Sequence, residues 1–143
     1  MKLPLLASFS LIFVLASWPN QTLADSSLDL QMERMTDAFR PLRAALADPE
    51  SVNQQDLMNW TRELGAAAVA SKDLQPEKVG EIPEENRVAF IEAYQQSLDE
   101  LIILVDQLSD FILTEEWDAA TNQIVLINQS QRNGHKKFRS EDH

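Results

Sequence analysis

Cysteine is absent from the 143 residues, which excludes disulfides, Cys-ligated zinc, iron–sulfur clusters, thiol catalysis and any cofactor tethered through thioether bonds. Glycine and proline are scarce, at three and six residues, so the chain is neither collagen-like nor low-complexity. Histidine occurs twice, at His135 and at the terminal His143. With no Ser/His/Asp constellation and no Glu-x-x-His pair, a hydrolase or a di-iron carboxylate site has little to be built from, and an enzyme is not expected. Basic residues are outnumbered 12 to 23 by acidic ones, for a net charge of −11, so the basic stripe that tracks a phosphate backbone is missing and nucleic acid is not an expected partner. What is present is an apolar fraction of 44%, enough for the core of one domain.

The first residues read as an address. Lys2 precedes an apolar run from Leu3 to Trp18, interrupted only by Pro4, Ser8, Ser10 and Ser17. That run is shorter than the roughly 20 residues that span a bilayer. Thr22 and Ala24 are small residues suited to cleavage before Asp25, so residues 1–24 are expected to be a signal peptide and residues 25–143 the mature domain. An uncleaved anchor is the alternative. Export without any cysteine suits a bacterial periplasm, and the cleaved chain is expected to be a monomer with no stable membrane insertion.

Four apolar stripes at helical spacing follow. Leu28, Met32, Met35, Phe39, Leu42 and Leu46 mark a first helix, in which Pro41 removes a backbone bond and predicts a kink near Asp37–Pro41. Ser51 and Gln54 have capping-box spacing ahead of Leu57, Trp60, Leu64 and Ala67, a second helix reaching about Ser71. Pro76, Gly80 and Pro83 mark the one long connection. Phe90, Tyr94, Leu98, Leu101, Val105, Leu108 and Ile112 form a third stripe; Trp117, Ala120, Ile124, Ile127, Gln131, His135 and Phe138 form a fourth, with Thr114 as its expected N-cap. No alternating strand pattern competes. The expected fold is all-α, an antiparallel up-down-up-down four-helix bundle.

That topology brings distant residues together. Met32 lies about one turn inside the first helix and His135 about one turn before the end of the fourth, so both fall roughly 6 Å from the same end of the bundle. A thioether and a neutral imidazole on facing helices are the ligand pair of a six-coordinate b-type haem iron. Phe90 and Tyr94 reach the same level, Ala66, Ala67, Ala68 and Ala70 leave room beside them, and Arg132, Lys136, Lys137 and Arg139 supply positive charge for two propionates. Each feature has an ordinary explanation by itself: methionine stripes are usually core, and cations near a helix C-terminus suit its dipole. Their convergence at one end of one bundle is what points to a site.

These residues resemble the cytochrome b562 family of periplasmic haem-binding bundles. Leu28-Asp29-Leu30-Gln31-Met32-Glu33-Arg34-Met35 is similar to its N-terminal helix, and Leu64-Gly65-Ala66-Ala67-Ala68-Val69 followed by Pro76 to its second helix and proline-bearing loop. Phe90 and Tyr94 fall at its aromatic pair, and Arg132-Asn133-Gly134-His135-Lys136-Lys137-Phe138-Arg139 is similar to its C-terminal motif, with Arg132 to His135 one residue shorter than in the best-known member. The resemblance implies non-covalent haem b with Met32 and His135 on the iron. It implies a surrounding set of Met35, Phe90, Tyr94, Arg132, Phe138 and Arg139, with Arg139 near a propionate. The function so implied is one-electron transfer with a periplasmic redox partner. The competing expectation is a haem-free periplasmic bundle, an interaction or stress-response module with an apolar groove in place of the cofactor.

Overall fold

A computed structural model describes residues 27–140. The expected signal peptide, residues 1–24, and His143 lie outside the described residues. Within them the chain forms four helices and no strand: α1 (Leu28–Ala45), α2 (Gln54–Ser71), α3 (Glu84–Leu113) and α4 (Trp117–Phe138). Short 3-10 turns occupy Pro49–Ser51 and Glu77–Glu81. None of the described helices is long and apolar enough to cross a membrane.

The local chemistry explains the element ends, and in two places corrects the sequence reading. Ser27 caps α1, its hydroxyl accepting the Leu30 N–H at 3.2 Å, and Asp29 sits favourably in the first turn. α1 then runs through Pro41 to Ala45. The capping box expected at Ser51 and Gln54 does not form. Ser51 belongs to the turn started by Pro49 and donates to the Asp48 carbonyl at 2.8 Å, so Asn53 caps α2 instead, accepting from Gln55 N–H at 2.8 Å. Thr114 is likewise not the N-cap of α4. It ends α3, its hydroxyl donating to the Asp110 carbonyl at 2.9 Å, and Glu115 makes the reversal with φ of 56°, so α4 opens only at Trp117.

α1 packs on α2, α2 on α3 and α3 on α4. The main core joins Met35, Phe39, Leu42, Leu57, Leu64, Leu101, Val105, Leu108, Ile112, Ile124 and Ile127, with Leu42, Leu57, Leu64, Leu108, Ile112 and Ile127 fully buried. Each such aliphatic side chain contributes about 1.5–3 kcal/mol by leaving water. Buried hydroxyls are satisfied locally: Thr61 donates to Leu57 and Ser71 to Ala67, both at 2.8 Å. Long-range bonds tie the helices at their ends. Gln54 reaches the Ile112 carbonyl at 2.8 Å, the Tyr94 hydroxyl reaches Ser71 at 2.8 Å, and Thr121 reaches Leu46 at 3.4 Å. Mid-helix, Gln123 joins α4 to α3 through the Leu104 carbonyl and the Gln107 side chain, both at 2.9 Å. A second, smaller core of Tyr94, Leu98 and Phe138, packed by Leu28, Phe90 and Ala93, lies apart from the first.

Candidate functional site

α1 and α4 stand further apart than the other neighbouring pairs, and the space between them is a cavity of about 480 Å³. Its floor is the small core, through Tyr94, Leu98 and Phe138. Leu28, Met32 and Met35 come from α1, Leu101 from α3, and Gln131, Gly134 and His135 from α4. Helical phase selects these residues. Counting about 100° per residue, Ser130, Gln131, Gly134, His135 and Phe138 share one face of α4, as Leu28, Met32, Met35 and Thr36 share one of α1.

Of the residues expected from sequence, Met32, Met35, Tyr94, His135, Phe138 and Arg139 line this cavity. Phe90 and Arg132 do not. Phe90 stands behind Phe138, with ring centroids 5.4 Å apart in an edge-on contact, so it supports the floor without facing the space. Arg132 lies about 130° around α4 from the centre of the lining face, and Gln131, four residues before His135, takes the lining position. The alanines of α2 are also elsewhere: Ala67 and Ala68 fill the main core, while Ala66 and Ala70 face solvent. Of the four cations near the C-terminus only Arg139 reaches the lining, because α4 ends at Phe138 and Arg139 turns away with extended backbone (φ −89°, ψ 140°).

Three acids at the cavity, Asp29, Glu33 and Glu77, were missed. The signal was present for two of them, since Asp29 and Glu33 are one helical row apart and flank Met32; Glu77 arrives through the 3-10 turn after buried Pro76, which no periodicity foretells. Met32 is half-buried and Met35 almost fully so, at 4% exposure. His135 remains open to solvent on one side, yet the cavity walls strip enough water from it to lower its pKa below the usual 6.5, and the Arg139 charge lowers it further. The imidazole is therefore neutral near pH 7, with a lone pair free to ligate. Burial pushes Tyr94 up to about 12, so its hydroxyl stays protonated and bonded to Ser71. Among the described residues no three or more His, Cys, Asp or Glu side chains cluster closely enough to hold a metal ion.

The described residues thus form an all-α protein with a lined cavity between its first and last helices, holding a thioether and a neutral imidazole. The chain belongs to the cytochrome b562 family, whose model matches residues 27–139. That family is one of haem-binding electron-transfer cytochromes, generally not enzymes. No curated protein matches the chain.

Proposed function

We propose that the chain is a periplasmic b-type cytochrome, an antiparallel up-down-up-down bundle that binds haem b without covalent attachment and carries single electrons. The observation that carries this reading is that Met32 of α1 and His135 of α4 line the same cavity. The helix-end bonds from Gln54 to Ile112, Tyr94 to Ser71 and Thr121 to Leu46 support the alternating helix directions.

The lining fits a flat, mostly apolar group: about 480 Å³ is within the range of small-molecule sites, and the floor is aromatic and aliphatic. Met32 and His135 would hold the iron, and Arg139 would neutralise a propionate. Asp29 and Glu33 on α1 disfavour carboxylates beside them, which favours an orientation toward Arg139. Haem, when bound, supplies the Fe(II)/Fe(III) couple. The Met32 thioether, a soft donor, would raise the potential relative to an all-nitrogen site, and with His135 would disfavour dioxygen binding. The expected signal peptide and the periplasmic habit of the family support export. A monomer with a net charge of −11 suits a redox partner presenting positive charge, with on-rates that fall as salt rises.

The test is haem titration of the purified chain followed by oxidised and reduced absorption spectra of wild type, Met32→His and Met32→Ala. Six-coordinate spectra in wild type and a lower midpoint potential in Met32→His are expected. A chain that takes up no haem, or Met32→Ala with the spectrum and potential of wild type, would overturn the assignment.

A further inference from the structure

Beyond Gly134 the last turn of α4 is held at few points. Along the cavity α4 packs far less closely on α1 than on α3, and His135, Lys136, Lys137 and Arg139 are exposed. Two attachments fasten it. Phe138, 6% exposed, is gripped edge-on by Phe90 and Tyr94, at 5.4 and 5.5 Å between ring centroids. Ser140 donates to the Glu81 carboxylate at 2.6 Å, joining the chain just past α4 to the 3-10 turn Glu77–Glu81.

Gly134 is the position at which the helix bends most readily, since glycine favours the helix less than any other residue except proline. Packing does not require it: an added Cβ would meet only the Ser97 hydroxyl, at an ordinary 3.7 Å. Steric room thus gives no reason for glycine here.

We propose that this turn is a hinged gate, pivoting at Gly134 and latched by Phe138 and Ser140, and that haem is loaded and released through its opening. The inference rests on the haem-binding reading. Its consequence follows from position: His135 lies between pivot and latch, so opening withdraws the imidazole and Arg139 from the cavity in one movement and closing delivers both. Phe90, which does not line this cavity, acts as the keeper of the latch.

A gate differs from a fixed wall in its kinetics. If opening precedes both loading and release, changing the open population moves both rates together and leaves their ratio alone. In the full chain, Gly134→Ala favours the closed helical turn and is expected to slow haem association and haem transfer to excess apomyoglobin each by about fivefold, the Gly-to-Ala propensity difference. Glu81→Ala, outside the cavity lining, removes the tether and is expected to speed both by about threefold, the loss of a weak hydrogen bond. In Glu81→Ala, whose side chain is outside the cavity lining, the dissociation constant stays within about twofold. In the haem-free protein, amide exchange at Lys136–Arg139 slows in the first variant and quickens in the second, while the first two turns of α4 are unchanged. Rates that do not move, or a release rate that changes alone with a matching change in affinity, would overturn the gate. Should wild type bind no haem, the electron-carrier reading fails first, and unaltered exchange at Lys136–Arg139 would then refute the hinge separately.

Discussion

Replacing Tyr94 by Phe removes one oxygen atom from the junction of two helices and the cavity floor. The hydroxyl donates to the Ser71 carbonyl at 2.8 Å, on the last residue of α2, and the ring is 3% exposed. A neutral hydrogen bond contributes about 0.5–1.5 kcal/mol net, and a stranded buried carbonyl adds about 1–3 kcal/mol. Here the carbonyl is not stranded, because it also accepts the Leu74 N–H at 3.2 Å. The expected loss is therefore near 1 kcal/mol, or about 4 °C in Tm for a domain of this size. The pH dependence sharpens the test. Burial raises the folded pKa to about 12 against 10 in the unfolded chain, so the stabilisation is fully present below pH 10 and disappears as pH rises toward 12. Urea denaturation of the haem-free protein at neutral pH and between pH 10 and 12 should show wild type losing its lead over Tyr94→Phe across that interval. Tyr94 is the only tyrosine, so near-ultraviolet absorbance follows its ionisation directly. A variant as stable as wild type at neutral pH, or a lead that does not shrink in alkali, would refute the assigned bond.

Gln123→Leu removes the amide that joins α4 to α3 through the Leu104 carbonyl and Gln107; a loss of about 1–2 kcal/mol is expected, seen as a lower urea midpoint with unchanged slope. Arg139→Gln removes the smaller of the two influences on His135, so its pKa rises part of the way back toward 6.5 while desolvation persists. With the folded pKa below the unfolded value, the imidazole's stabilising contribution is present above pH 6.5 and lost as pH falls through the folded value. In the variant that loss is smaller and is completed at higher pH, which NMR titration of the haem-free protein would follow with His143 removed to leave a single imidazole.

The helices were legible because apolar side chains recur with the helical period. Leu28 to Leu46 and Phe90 to Ile112 trace the buried faces of α1 and α3 closely, and α2 ends at Ser71 as its stripe suggests. Caps were less legible, since several residues near each end can accept an N–H. Pro49 recruits Ser51 into a turn, and the positive φ of Glu115 delays α4 past Thr114, both outcomes of how the chain reverses rather than of local preference. At the site, Met32, Met35, Tyr94, His135, Phe138 and Arg139 share a cavity because helical phase and level determine who meets whom. Phase also explains the exceptions. Phe90 shares the level of Tyr94 but sits behind Phe138, and Arg132 is turned to another face.

The large core and the cavity meet at Met35 and Leu101, which belong to both, and diverge elsewhere. Leu42, Leu57, Leu108, Ile112 and Ile127, all fully buried, take no part in lining the space between α1 and α4. Substitutions at Met35 or Leu101 therefore change the chamber and the core together, whereas those at Gln131 or His135 fall on the chamber alone.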